Sequence, residues 1–466
     1  MDDWTSVISL SGRRFIGRPG AAGSKLGMTD GQEIMNASKP VSLNLNVRGL
    51  GLSATLAINE RCRALRDEGR PVCNLGLGQS PFPVPHPVVE ALRLAAPEKE
   101  YLPVRGLPAL REAVAAFHRK HDQIEVHPDG VLIGPGSKEL MFLLQLVYYG
   151  EITVTTPCWV SYLPQAHVIG RTVSQLPTNH EQRWRITAPQ LLWLLDMVQD
   201  DYRPRLLVVN YPANPSGQTY TADELEEIAE VARRFKVVIL SDEIYGQLHH
   251  QGRHVSIARF YPEGTVVSSG LSKWCGAGGW RLGTFCFPPD LYWLMDAMAA
   301  VASETYTSVC APIQHAAVHA FRGGVVIERY LWHVRRVLAA LGREGARILN
   351  RAGLRVHPPT GGFYLYLDFS TLGERLAKRG IEDGATLCER LLEEAGVAIL
   401  PGVSFARPPG ELTARLAYVD FDGARALAAS EQVPLHEDLP ADFTRRWCER
   451  TLCGMECIAE WVAAHS

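Results

Sequence analysis

Between Ala54 and Asp67, apolar side chains at 54, 56, 57, 58 and 65 are separated by charges, and the run stops at Gly69-Arg70-Pro71, which predicts a first helix. Pro87 to Ala95 reads as a short helix opened by proline. Leu107 to His121 reads as an amphipathic helix with Leu110, Val114 and Phe117 on one face. Then the pattern changes. Short apolar runs at 131–133, 152–155, 205–209, 237–240 and 265–267 read as buried strands, with helices at 139–148 and 222–234 among them. Thr221 caps the latter helix, and Asp223 and Glu224 sit in its first turn. Strands of this kind alternating with helices predict an α/β fold, a mostly parallel sheet covered on both faces. After Pro288 the chain turns helical over 290–304, 311–322 and 327–351, the last with its arginines assigned to a solvated face. Extended segments follow at 354–357 and 363–367, a helix at 384–396, more extended chain at 397–400 and 413–419, and a terminal helix from about 440. This grouping predicts a large α/β domain over 85–322 and a smaller α+β domain from 41–84 plus 323–466, with a flexible tail over 1–40.

Composition narrows the classes. With 466 residues, 46% hydrophobic and 21% charged, the chain has the make-up of a globular protein of two or three domains. A net charge of -3 gives no electrostatic reason for nucleic acid or an anionic membrane as partner. The start, Met-Asp-Asp, lacks a basic segment and an apolar run, so no signal peptide is expected. No apolar window reaches the ~18 residues a membrane span needs. The 10 cysteines are scattered, which favours reduced thiols in a cytoplasmic protein. Cys448, Cys453 and Cys457 lack a fourth ligand and a Cys-x-x-Cys spacing, so no metal is expected there.

The chemistry-bearing residues fall just after strand ends, where open α/β sheets bind ligands. Gly134-Pro135-Gly136-Ser137-Lys138 joins a strand to a helix N-terminus, a natural anion site. Gly78 lies in a Gly/Pro loop, 74–83, suited to passing over a ligand. The stretch 268–283 places Lys273 among small residues, with Ser272 before it and Arg281 after, a hydroxyl and a cation able to grip a phosphate. A desolvated lysine loses its proton and attacks carbonyls. The set asks for a cofactor with a phosphate, an aromatic ring and an aldehyde. Lys273 would hold the aldehyde covalently, and Asp242 would pair with a protonated ring nitrogen. Trp159 would stack on the ring, while Asn214 and Tyr245 would bond its oxygen.

Tyr101 to Gly106, Pro157 to Tyr162, Asn210 to Gly217, Ser241 to Tyr245, Gly270 to Gly283 and Ala414 to Tyr418 occur in one order. In that order the chain resembles the pyridoxal-phosphate-dependent aminotransferases of fold type I, class I/II, over roughly 43–430. The resemblance implies that Arg415 binds the substrate α-carboxylate, a bidentate task that lysine performs poorly. It also implies a homodimer with shared sites, in which Tyr101 reaches the phosphate of the other subunit. The Gly-x-Lys turn and the Trp-Val-Ser-Tyr stretch are similar to the aspartate aminotransferase subgroup. There the lysine, matched by Lys138, helps bind the distal carboxylate of aspartate- or glutamate-like substrates. One departure is Gly270, where many family members carry a phosphate-binding serine, so Ser272 or Ser269 would have to supply that hydroxyl. A lyase or decarboxylase on the same cofactor, and a non-enzymatic regulator, are the alternatives that the fold leaves open.

Overall fold

The computed structural model of the protein describes residues 42–197 and 204–464, and the tail expected over 1–40 lies outside them. Numbered along the chain, the strands begin with Cys73–Asn74 (β1). Seven more build the main sheet: Val131–Gly134 (β2), Glu151–Thr156 (β3), Val173–Pro177 (β4), Arg205–Asn210 (β5), Val238–Asp242 (β6), Thr265–Gly270 (β7) and Gly283–Cys286 (β8). Their order is β2-β8-β7-β6-β5-β3-β4. Strands β7, β6, β5, β3 and β4 pair in parallel, while β8 runs antiparallel to both of its neighbours. The parallel pairs explain the continuous apolar runs, since successive side chains face opposite sides and both sides are covered. Along β5, Leu206 and Val208 enter one apolar cluster, and Leu207 and Val209 enter another. The mostly parallel α/β sheet is therefore as the pattern predicts.

Strand β6 runs on through Asp242, and β7 takes in Ser268 and Ser269, past the points where apolarity ends. Backbone pairing continues there, with Asn210 opposite Asp242 and Asp242 opposite Ser268. Residues 354–357 do not form the expected strand and make one bridge, Arg355 to Asp368. The helices Tyr162–Val168 and Ala188–Met197, with β4 and β8, have no counterpart in the sequence reading. The helix Thr221 was expected to cap does form, Ala222–Arg234, and Glu224 completes a reciprocal capping box.

Beyond the main sheet lie Tyr364–Asp368 (β9), Val397–Ala398 (β10), Leu400–Pro401 (β11) and Thr413–Ala417 (β12). β11, β12 and β9 form an antiparallel sheet, and β1 pairs with β10. The long helix Val325–Arg351 packs on β9. Its arginines are not simply a solvated face: Arg335 donates to the Gln247 carbonyl at 2.7 Å, and Arg336 donates to Ser430 Oγ at 2.8 Å. Long aliphatic stems let such side chains lie on apolar surface while their heads find acceptors.

Candidate active site

A cavity of about 550 Å³ opens where the ends of β5, β6 and β7 meet the second sheet. Its wall takes Asn210 and Asn214 from the end of β5 and the turn after it, and Asp242 and Tyr245 from β6 and beyond. Ser272 and Lys273 follow β7, and Arg281 precedes β8. Ser137 and Lys138 come from a helix N-terminus, Tyr364 from β9, Arg415 from β12, and Gly78 and Trp159 from loops.

Lys273 Nζ donates to the Gly78 carbonyl at 2.9 Å. Burial pulls its amine down to about 8, helped by Arg415 and Arg281 and opposed by Asp242. A tenth or so of such amines is neutral even one pH unit below that value, which suits a nucleophile. Asp242 is 3% exposed, and burial pushes its carboxyl up to about 6. Three donors act against that rise: the Tyr162 hydroxyl at 2.6 Å, the Ile244 N–H at 3.4 Å and the Ser268 hydroxyl at 3.4 Å. Asn210 holds the backbone at this point, donating to the Asp242 carbonyl at 2.8 Å and accepting from Asn214 N–H at 2.7 Å.

Arg415 is 1% exposed and donates to Asn214 Oδ1 at 3.1 Å and to the Gly76 carbonyl. Its guanidinium carbon lies 4.8 Å from the centre of the Tyr364 ring and 4.9 Å from that of Phe405. Among the described residues no carboxylate pairs with it, and its Nε has no hydrogen-bond partner. The Tyr245 and Tyr364 hydroxyls lie 2.7 Å apart. Lys138 Nζ lies 5.5 Å from the Trp159 ring centre, its pKa lowered by burial and then by Arg281.

The opposite end is shaped for an anion. Helix Ser137–Val147 begins here, and its first N–H groups have no acceptor within the helix. Gly136 has φ 90°, and a Cβ there would come within 2.2 Å of Arg281 Nη2. A Cβ on Gly283 would meet the Ser137 nitrogen at 2.1 Å. Only glycines let these two backbones and the guanidinium lie so close. Arg281 donates to the Gly278 carbonyl at 2.9 Å and to that of Pro135 at 3.2 Å. Gly270, where a serine was the family expectation, has no room for a side chain, since a Cβ would sit 2.7 Å from the Leu282 carbonyl oxygen. Of the two substitutes, Ser272 lines the cavity and Ser269 is not in its wall.

Residues 70–420 match the aminotransferase class I and II family. The chain belongs to that family. It is 33% identical to the aspartate/prephenate aminotransferase of Thermus thermophilus over 377 residues, which is 78% of this chain and 91% of that one. With the aspartate aminotransferase of Bacillus sp. strain YM-2 it shares 31% over 382 residues, 80% of this chain and 93% of that one. Among solved structures, aspartate aminotransferase from Thermus thermophilus with maleate superposes with a TM-score of 0.76 at 29% identity, covering 90% of this chain and 99% of the other.

An aminotransferase of this family is a fold type I enzyme that depends on pyridoxal phosphate, and the cavity fits that group. A buried carboxylate, an amine of lowered pKa and a cradle that a single Cβ would fill stand around one space. Two expected site residues do not line this chain's own cavity: Tyr101, which is 89% exposed, and Gly136, which lies against Arg281 just before Ser137. Three contributors escaped the sequence reading as site residues: Asn210, Tyr162 and Tyr364. Asn210 and Tyr162 stand inside stretches that carry the resemblance, so that signal was present. Tyr364 is one apolar-strand residue among several, and only the register of β9 against β12 turns it toward Arg415.

Proposed function

We propose that the enzyme moves the amino group between an acidic L-amino acid, of aspartate or glutamate type, and a 2-oxo acid. The observation that carries this reading is Arg415, a buried guanidinium with no carboxylate beside it among the described residues, set in one cavity with Lys273 and Lys138. A buried cation without a counter-ion is costly, and a substrate α-carboxylate would supply one. Lys138, in the first turn of its helix, would take the second carboxylate. The relatives named as aspartate aminotransferases support the same substrate class.

Bound in the cavity, pyridoxal phosphate supplies an electron sink for the charge left on the substrate when its Cα proton departs. Asp242 would hold the ring nitrogen protonated, Trp159 would cover the ring, and Asn214 and Tyr245 would bond the ring oxygen. Gly136, Ser137, Ser272 and Arg281 would hold the phosphate, with Tyr101 of a second copy completing it. Lys273 would hold the aldehyde covalently and, once released, move the Cα proton as general base. The Gly78 carbonyl accepts from the Lys273 amine, which supports a substrate-facing role for this loop. We further propose a homodimer and a cytoplasmic setting. Ten free thiols support the latter, and no helix among the described residues is long and apolar enough to cross a membrane. We also propose a division into a cofactor-holding part, 85–322, and a smaller part, 41–84 plus 323–466, which the separation of the two larger sheets supports.

A screen of natural amino acids as donors, with and without a 2-oxo acid, tests the reading. Aspartate and glutamate should lead, and turnover should need the oxo acid. Lys138→Ala should raise KM for acidic donors about tenfold to a hundredfold, as for loss of a charge-assisted contact, and spare neutral ones. Equal rates with neutral donors would remove the acidic assignment, and sustained release of ammonia or carbon dioxide without oxo acid would remove transamination.

A further inference from the structure

Directly after Asp242 comes a second buried carboxylate, Glu243, which is 4% exposed and does not line the cavity. Its Oε1 accepts from Ser241 Oγ at 2.7 Å, Ser256 Oγ at 2.6 Å and the Tyr211 hydroxyl at 3.2 Å, and Oε2 meets His254 Nε2 at 2.8 Å. Its own N–H donates to the Ser268 carbonyl at 2.9 Å. Through these bonds Glu243 ties together the ends of β5, β6 and β7 and the segment 254–256. Tyr211 N–H in turn donates to the Asp242 carbonyl at 3.2 Å.

Two adjacent carboxylates in a dry interior disfavour each other's ionisation. An imidazolium against one of them removes that conflict and leaves the other carboxylate its charge. We propose that Glu243 and His254 are positioning residues for Asp242, a buried ion pair that anchors the strand end and leaves the Asp242 charge available to a cationic ring nitrogen. The inference rests on the role given above to Asp242.

The surrounding charges favour the pair on balance. Burial pulls His254 down, but Glu243 and Asp122 outweigh it and raise its pKa, with His118 opposing them. His118 and Asp122 belong to helix Pro108–His121 and its end, and form their own pair at 2.6 Å. His249, on the loop after β6, is pulled down to about 4 by burial and then by His254, so it stays neutral. For Asp242, burial is the largest cause of the rise, and Glu243 adds to it. A histidine with a raised pKa contributes its stabilisation below its unfolded value and loses it as pH climbs through the folded one. Above that point Glu243 stands uncompensated and Asp242 holds its charge less firmly.

Cofactor-free protein titrated with pyridoxal phosphate at about pH 6.5, below the raised His254 value, tests the pair. His254→Gln keeps a hydrogen-bond donor but removes the charge, and should weaken affinity about tenfold, the worth of one pKa unit. Glu243→Gln combined with His254→Gln is neutral again and should recover most of that loss. Wild-type affinity in His254→Gln, or no recovery in the double variant, overturns the proposal. Asp242→Ala is titrated alongside; unchanged affinity there would overturn the reading of Asp242 itself. Nitrogen-15 NMR of the unmutated holoenzyme at the same pH needs no variant to fold well. It should show a doubly protonated ring for His254, assigned from its 2.8 Å partner, and a neutral ring overturns the proposal.

Discussion

An amine shut away from water, with two guanidinium groups in its neighbourhood, costs more to keep protonated than one in solution, and Lys273 is pulled down to about 8. Its neutral fraction grows as pH rises toward that value. The rate at which cofactor-free protein captures pyridoxal phosphate should therefore climb with pH and level off above about 8, followed by absorbance in a stopped-flow mixer. Lys273→Ala should show no such covalent phase. A flat profile between about pH 6 and about pH 9 would mean that the amine does not decide capture. Lys273 could be picked out of the sequence because a lone lysine among small residues is no solvated face, Asp242 and Asn214 because they follow apolar strands, and Arg415 through the family resemblance. The contacts among them could not be. Tyr162 finds Asp242 across 80 residues of chain, and Tyr245 finds Tyr364 across 119. Motif stretches mark Tyr162 and Tyr245, but nothing local tells Tyr364 from a packed aromatic or says which groups meet.

Helices with a clear apolar stripe were legible almost to the residue: Ala54–Asp67, Ala222–Arg234 and Ala311–Arg322 stand where the periodicity put them. Strand β8 was not, because Gly283, Thr284, Phe285 and Cys286 carry no alternation, and tertiary pairing on both sides makes it a strand. Its first residue is open to test. In Gly283→Ala the new methyl would meet the Ser137 nitrogen at 2.1 Å and the Gly136 carbonyl carbon at 2.4 Å, both backbone atoms that cannot swing aside. Overpacking of this kind costs about 1–3 kcal/mol, so cofactor affinity should drop about tenfold or more in equilibrium titration. Gly410→Ala, with nothing within 4 Å of its new methyl, is the control and should bind as before. Helix Pro108–His121 offers a stability test, for its His118 is charge-paired with Asp122 at the cap, the two side chains 2% and 4% exposed. Asp122→Ala leaves a buried imidazolium alone and should cost about 3–5 kcal/mol in denaturant unfolding at neutral pH. Burial opposes the pair, but Cys286 and then Asp122 raise His118, and His118 in turn lowers Asp122. Its stabilisation therefore fades as pH falls through the first pKa and again as pH rises through the second.

At the scale of the whole molecule, the proposed homodimer makes each site depend on two chains. Lys273→Ala and Tyr101→Ala, each impaired alone, should give a mixed population in which one site per hybrid has both intact residues. After subunit exchange the mixture should exceed the summed activities of the two separate preparations. Strict additivity would show that Tyr101, 89% exposed, serves the chain that carries it in no shared site. The order of strands across the main sheet has a further result for how the protein is made. Strand β2 has β8 as its sheet neighbour, and β8 ends at Cys286. A ribosome delivers β2 long before that partner leaves the exit tunnel, so the nascent chain carries a waiting apolar strand through the synthesis of five others. The proposed phosphate cradle spans this same junction, where Gly134 faces Gly283. A message cut short between the glycine turn and β8 thus yields a polypeptide that has the turn yet no floor beneath it, and its orphaned strand becomes an address for chaperones and proteases rather than half an enzyme.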